Sequence, residues 1–318
     1  MFVIDKEMND SNHRELVSWL LTRHRGGLEM FEEEVKKEKA PLILFMLGGV
    51  DVGKTYTVTA IANRCYEQGW KVAVVDADVG QSDIGPPCCI GMGMLERAIK
   101  KLSEVPPRCL YFVGNTSPAG CMRECVQGAV AGVKKAKGAD VILVDSTGWI
   151  AGDDAMRFKL LEVNEIDPSF VVAIENEDEL EHIVPHLTKK VITLRRSRVA
   201  RSRTREERRA LREDAYNRYF KDAEDRVFAL ALFDRIPEAG TILGLFRDKS
   251  ENDEVAGLGI VRKLDYERGA AVVVTPVGAG RDIRIKKIKP GRVMLMREKG
   301  GLKEVFSFAS HQRRNEHV

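Results

Sequence analysis

Six apolar residues, Leu42-Ile43-Leu44-Phe45-Met46-Leu47, run directly into Gly48-Gly49-Val50-Asp51-Val52-Gly53-Lys54-Thr55, which fits G-x-x-x-x-G-K-[ST] without a mismatch. The apolar run reads as a buried strand, the glycines as a tight turn, and the residues from about Lys54 as a helix. Such a turn aims consecutive N–H groups at one point, and the new helix adds the positive end of its dipole. The segment is therefore a cradle for the phosphates of a nucleotide. Gly48, Gly49, Val50, Asp51, Val52, Gly53 and Tyr56 are expected to line it, Lys54 to reach the β/γ-phosphates, and Thr55 to ligate Mg²⁺.

One helix and one strand further on stands Asp76-Ala77-Asp78-Val79-Gly80-Gln81, after the apolar run Lys71-Val72-Ala73-Val74-Val75. Carboxylates at the carboxyl end of a parallel strand lie at the mouth of the sheet, beside the phosphates. Asp76 and Asp78 are candidate Mg²⁺ ligands; Asp78 can also accept the proton of an attacking hydroxyl, and Gln81 can orient that acceptor without adding charge. A polar cap on the sheet is the plainer reading of the same residues. A third strand, Val141-Ile142-Leu143-Val144-Asp145, ends in Ser146-Thr147-Gly148-Trp149. Asp145 has the position of a carboxylate that holds the metal's water shell. Trp149 offers a flat face on which a nucleobase can stack, and an ordinary core tryptophan is the competing reading.

From Arg195 to Arg212 nine arginines face only Glu206 and Glu207. The whole chain is +3, so this segment at +7 leaves the remainder at −4, and the positive charge is focused. Focused charge suggests an anionic ligand. Arg205, Arg208 and Arg212 recur at helical spacing, and arginine suits multidentate contact with phosphoryl oxygens. Charge runs also form solvated helical faces, and composition alone does not separate the two.

Together the GGVDVGKT loop, the D-x-D-V-G-Q box, the Thr116-Ser117-Pro118-Ala119-Gly120 loop, the Ser146-Thr147-Gly148-Trp149 turn and the run Arg203 to Arg212 followed by Tyr219-Phe220 resemble the polynucleotide 5′-hydroxyl kinases. These are the P-loop kinases of eukaryotic pre-mRNA cleavage factor and ribosomal RNA processing, with archaeal and bacterial relatives. The resemblance covers roughly residues 40 to 220. It implies transfer of the γ-phosphate of ATP, or of GTP, to the 5′-OH end of RNA or DNA. Lys54 and Thr55 would hold phosphate and Mg²⁺, while Asp78 and Gln81 would prepare the 5′-hydroxyl. Thr116 would belong to a clasp over the nucleotide base, and Trp149 would stack the terminal base of the acceptor. Arg203, Arg208 and Arg212 would form a lid neutralising the transferring phosphoryl group. No additional β-domain of the eukaryotic kind is read before the kinase core.

Two other classes fit parts of the pattern. A regulatory ATPase or GTPase of the partitioning type also uses a strand, a Gly-rich loop and an Asp-rich second strand, but usually has a lysine where Gly49 stands. A non-catalytic, nucleotide-bound RNA scaffold is the other; the intact set Lys54, Thr55, Asp78 and Gln81 argues against it.

The expected fold is α/β, a P-loop nucleotide-binding domain with a mainly parallel sheet covered by helices, plus a smaller β-rich C-terminal domain. Strand candidates at 42–47, 71–76, 109–113, 140–145, 170–174 and 190–194 alternate with helical segments. Residues 1–40 form an N-terminal helical segment, with amphipathic spacing from about 11 to 38; 41–221 form the kinase domain with its Arg-rich lid. Residues 222–318 form the β-rich C-terminal domain, with short strand candidates at Val227–Phe233, Gly240–Phe246, Glu254–Arg262, Ala270–Thr275, Arg281–Ile288 and Val293–Arg297. The basic run Arg281 to Lys289 reads either as an extension of a nucleic-acid track or as an edge strand guarded by lysines.

No apolar run approaches the ~20 residues of a membrane span, and the acidic start lacks the pattern of a signal peptide. A cytoplasmic protein without membrane partners is expected. Six cysteines without a C-x-x-C pair point to reduced thiols. Cys88-Cys89 and Cys121-x-x-x-Cys125 read as buried small side chains rather than a metal site, and His182 with His186 as a surface pair.

Overall fold

In the computed structural model the described residues are 41–196, 201–247, 254–278 and 283–305. The amphipathic segment expected at 11–38 and the polar C-terminal tail lie outside them.

The apolar run forms β1 (Leu42–Gly48), and its side chains divide by period two between the two faces of a sheet. Phe45 and Leu47 join one buried cluster, Leu44 and Met46 the other. The sheet also contains β2 (Val72–Ala77), β3 (Cys89–Met94), β4 (Cys109–Phe112), β5 (Val141–Ser146), β6 (Phe170–Glu175) and β7 (Lys190–Arg195), in the order β4-β3-β2-β5-β1-β6-β7. Its five strands β2, β5, β1, β6 and β7 are parallel. One face is covered by helix α1 (Lys54–Glu67), through Val58, Ile61, Ala62 and Cys65. The other is covered by α2 (Met122–Lys135) and α3 (Asp153–Ile166), through Cys125, Val126, Phe158 and Val163.

β3 was not expected. It runs antiparallel to β2 and carries Gly91 and Gly93, residues that weaken a strand pattern. Both glycines are required by close approach: a Cβ on Gly91 would stand 1.7 Å from the Ile84 carbonyl oxygen, and one on Gly93 2.7 Å from that of Pro106.

After α4 (Arg205–Tyr219) the chain forms a six-stranded antiparallel sheet, β8 (Glu224–Ala229), β9 (Thr241–Phe246), β10 (Gly257–Asp265), β11 (Ala270–Thr275), β12 (Lys287–Glu298) and β13 (Gly301–Val305), ordered β13-β12-β9-β10-β11-β8. The strands expected at Arg281–Ile288 and Val293–Arg297 are one, because the chain passes Pro290 and Gly291 without leaving the sheet. Along β9, Ile242 and Phe246 pack toward Phe112, Cys88 and Cys89 of the first sheet and Tyr216 and Phe220 at the end of α4, while Leu243 and Leu245 face away. Gly244 lets the two layers close, since a Cβ there would meet the Phe112 ring at 2.6 Å. The second sheet thus shares a core with the first and clamps α4.

Candidate active site

The order of the parallel strands sends crossovers to opposite sides of β1, so the crevice opens at the carboxyl ends of β1, β2 and β5. Strand register brings the sequence-selected residues there together: Asp76 pairs with Asp145 across β2 and β5, and Asp145 with Met46 across β5 and β1. From β1 the chain enters the glycine turn. A Cβ on Gly48 would meet the Ile174 carbonyl oxygen at 2.4 Å, and Gly53 takes φ +103° to start α1.

Lys54 is buried and folds back on its own loop, donating to the carbonyls of Gly48 at 3.0 Å and Gly49 at 2.6 Å. Burial lowers its pKa, against the pull of Asp145 and Asp78. Thr55 Oγ1 donates to Asp145 Oδ2 at 2.6 Å. The other oxygen, Oδ1, is buried without a partner, and burial pushes the Asp145 carboxyl up to about 7 against the pull of Lys54 and Thr55. A hydroxyl beside a buried carboxylate with a spare oxygen is an oxygen donor set of the kind a hard divalent cation takes, so these residues fit Mg²⁺. Among the described residues no group of three His, Cys, Asp or Glu side chains forms a metal cage.

Asp76 is buried at the end of β2. Oδ2 accepts from Asp83 N at 2.6 Å, Ile84 N at 2.9 Å and Ser82 Oγ at 3.3 Å, and Oδ1 from Asp78 N at 3.1 Å. Both oxygens are spent folding the loop after β2, and burial followed by repulsion from Asp145 raises its pKa well above the carboxylate range. Through these hydrogen bonds Asp76 shapes the box. Asp78 is half-buried, with Oδ1 taking the N–H groups of Gly80 and Gln81, each at 3.0 Å.

Gln81 Nε2 donates to Arg208 O at 3.2 Å, which ties the box to α4. This helix starts with a capping box: Thr204 Oγ1 accepts from Glu207 N at 3.1 Å, and Glu207 Oε2 from Thr204 N at 2.8 Å. Two of the three expected lid arginines reach the glycine turn. Asp51 Oδ2 accepts from Arg203 N at 2.8 Å and Arg208 Nη1 at 3.1 Å, and its Oδ1 from Arg203 Nη1 at 3.3 Å. Arg212 does not join them. It points to β13, where it pairs with Glu304. Arg205 is exposed at the first turn of the helix.

Thr116 is half-buried at the edge of the box; a Cβ on Gly80 would meet its carbonyl oxygen at 2.8 Å. Trp149 is half-buried, with its ring 5.7 Å from that of Phe158. Its turn packs on the tip of the glycine loop, for a Cβ on Gly148 would stand 2.7 Å from Val50 N. Trp149 also lines an open groove of about 460 Å³ with Gly49, Val50, Asn176, Glu179 and Arg196. Tyr56 is exposed on α1.

Several residues of consequence were not singled out from the sequence. Thr204 and Glu207 carry the readable signature of a helix start. Glu304 and the buried pair Lys159 and Glu162 have no local signal. The six cysteines are free and buried, and His182 Nε2 lies 2.8 Å from Ile150 O. No helix among the described residues is long and apolar enough to cross a membrane.

The family model of the mRNA cleavage and polyadenylation factor CLP1 P-loop matches residues 48–222. The polyribonucleotide 5′-hydroxyl-kinases of Pyrococcus furiosus and Methanocaldococcus jannaschii are each 37% identical to this chain, over 194 and 193 residues. Those matches take in 60% of this chain and 54% and 53% of the relatives, so the chain spans about half the length of the curated relatives it matches. A structure of Clp1p in complex with Pcf11p superposes with a TM-score of 0.66 at 11% identity, over 92% of this chain and 81% of that one, a likeness of fold.

Proposed function

The chain belongs to the CLP1 P-loop family, and from that premise we propose that it is a polyribonucleotide 5′-hydroxyl kinase, transferring the γ-phosphate of ATP to the 5′-OH end of RNA. The family is nucleotide-binding; ATP as donor, Mg²⁺ as cofactor and RNA as acceptor are the finer reading, supported by the names of the archaeal relatives and the residues of the crevice. One observation carries it: Gln81, Arg208 and Asp51 form a continuous polar chain from the acceptor box through the arginine helix to the phosphate loop. A regulatory ATPase has no need to wire its phosphate loop to an acceptor box.

Phosphoryl transfer leaves a protein little covalent work, so positioning and charge neutralisation supply the rate. The N–H groups of Gly48 to Gly53 cradle the phosphates. Lys54 exchanges the carbonyls of Gly48 and Gly49 for phosphoryl oxygens. Thr55 and Asp145, with Asp78, would hold Mg²⁺, which would offset charge on the phosphates. Asp78, whose Oδ1 is taken by backbone N–H groups, uses Oδ2 to accept the proton of the 5′-hydroxyl, and Gln81 orients that hydroxyl. Arg203 and Arg208 transfer their donors from Asp51 to the moving phosphoryl group. Trp149 offers its face to a base.

The test is transfer of γ-labelled phosphate from ATP, and separately GTP, to matched 5′-OH RNA and DNA oligonucleotides with Mg²⁺. Lys54→Ala and a 5′-phosphorylated acceptor are the controls. Label on the RNA 5′-OH strand alone supports the proposal. Steady acceptor-independent hydrolysis with no labelled strand would replace it with a regulatory ATPase.

A further inference from the structure

The basic run ending at Lys289 had two sequence readings, a nucleic-acid track or a guarded edge strand. Within that run Lys287 to Lys289 pair with β9 and Phe233 bridges Ile288, while β13 pairs with Met294 to Glu298 further along β12. Between Pro290 and Met294 its register with β9 breaks, and a break of this kind re-aims the strand. Arg292 N leaves the ladder and donates to Gly114 O at 2.7 Å. The backbones touch here, since a Cβ on Gly291 would stand 2.7 Å from the same Gly114 oxygen.

Beyond Gly114 the chain continues as Asn115 and the Thr116 to Gly120 loop, whose Thr116 carbonyl rests on Gly80 of the acceptor box. At the loop's far end is the exposed Arg292 side chain: a Cβ on Gly120 would sit 2.9 Å from its Nη1. On the other side Arg235 Nη2 donates to Gly291 O at 2.9 Å. Among the described residues Arg235 meets the carbonyl oxygens of Pro290 and Gly291, and neither guanidinium has a carboxylate within ion-pair distance. By contrast, nearby Lys287 is matched by Asp234 at 3.5 Å. The Arg292 guanidinium, with no carboxylate partner among the described residues, thus stands at the end of a loop of five residues that starts at the acceptor box, a path of at most about 18 Å, and Arg235 holds the backbone beneath it at Gly291.

We propose that Arg292, braced by Arg235, binds backbone phosphates of the acceptor strand a few nucleotides downstream of its 5′ end. The C-terminal sheet thereby forms part of the nucleic-acid surface. The contact rests on the kinase reading for its direction, because the 5′ end is placed at Asp78 and Gln81. A guanidinium takes a phosphate by two parallel N–H bonds without reading the base, so the contact adds length-dependent rather than sequence-dependent affinity.

The experiment compares wild type with Arg292→Gln and Arg292→Lys, using 5′-OH RNA as a dinucleotide and as a decanucleotide with the same first two bases. KM and kcat are measured for each acceptor, and binding of a 3′-labelled decanucleotide is followed by anisotropy from 50 to 200 mM NaCl. For Arg292→Gln the decanucleotide KM rises about five-fold, the dinucleotide KM moves much less, and the log–log salt slope becomes shallower by about 0.7. Arg292→Lys keeps the slope and serves as the folded control if the glutamine variant melts early. Equal KM shifts for both acceptors, an unchanged slope in Arg292→Gln, or loss of the slope in Arg292→Lys overturns the proposal. The kinase reading fails by a different sign, absence of label with wild type on either acceptor, and the anisotropy comparison still decides the role of Arg292.

Discussion

Arg212 and Glu304 meet side by side, Nε to Oε1 and Nη2 to Oε2 both at 2.7 Å, across 92 residues of chain. Their side chains are 19% and 11% exposed, and Arg209 donates to the Glu304 carbonyl beside them. A two-pronged pair this dry anchors α4 to the second sheet, and so fixes the helix whose first turn carries Arg208 to Asp51. Removing either partner strands the other. Arg212→Ala and Glu304→Ala are each expected to lower unfolding free energy by about 1.5–3 kcal/mol, with the double variant little worse than the larger single. Urea denaturation of the four proteins checks this. A much larger kcat loss for Arg212→Ala than for Glu304→Ala would instead show that the guanidinium leaves Glu304 for the phosphoryl group during turnover.

Next to that pair, buried Glu213 accepts from Lys303 Nζ at 2.7 Å, Arg209 Nε at 3.0 Å and Glu304 N at 3.1 Å. Burial raises its pKa, but the Lys303, Glu304 and Arg209 donors outweigh it, and the net value is below the usual carboxylate range. A carboxyl more acidic folded than unfolded stabilises the fold fully above its unfolded pKa, and loses that contribution as pH falls through the folded value. Glu213→Gln should therefore cost about 1–3 kcal/mol at pH 7 and progressively less below about pH 4. Thermal melts from pH 7 to pH 3 measure the convergence; parallel curves would exclude it.

Three substitutions separate the roles in the crevice. Lys54→Ala and Asp78→Asn should each lower kcat by about a hundred-fold or more, because both act on charge that develops in transfer. Trp149→Ala should raise acceptor KM by about ten-fold with a small change in kcat, the size expected of one stacked base. Steady-state kinetics with RNA and ATP varied in turn distinguishes the assignments. A rise in the ATP KM alone for Trp149→Ala would assign the groove beside Val50 to the nucleotide base.

The parallel core and the crevice were legible because their signals are local: β1 is apolar throughout, its glycines follow at once, and each acidic strand end follows an apolar run. What was not legible depends on contacts distant in sequence. β3 is hidden because Gly91 and Gly93 satisfy the space left by Ile84, Val105 and Pro106 rather than a strand pattern. Asp76 and Asp78 look equivalent in the D-x-D box, yet the loop's N–H groups take both oxygens of the first. Arginine spacing placed Arg208 and Arg212 on one helix, but the partners that divide them, Asp51 and Glu304, are 157 and 92 residues away.

Lys159 and Glu162, both with no exposed surface, form an ion pair of 2.8 Å beneath the turn that carries Trp149. Lys159 Nζ also donates to Ser146 Oγ at 3.0 Å, and Ser146 Oγ to Met46 O at 2.6 Å, which ties α3 to the ends of β5 and β1. The ammonium lies 5.0 Å from the centre of Phe158, the ring that meets Trp149. Glu162 Oε1 has no partner, and burial raises the Glu162 pKa against the pull of Lys159. Taking two charges out of water is costly, and either one left alone costs more. Lys159→Met and Glu162→Leu should each destabilise by about 3–5 kcal/mol, while the double variant recovers most of that loss because an apolar pair fits the same space. If the pair also positions the turn, the double variant regains stability but keeps a raised acceptor KM, since Ser146 has lost its donor. Denaturation and acceptor kinetics on the same four proteins separate the two effects, and a double variant with wild-type KM would leave the pair no part in placing Trp149.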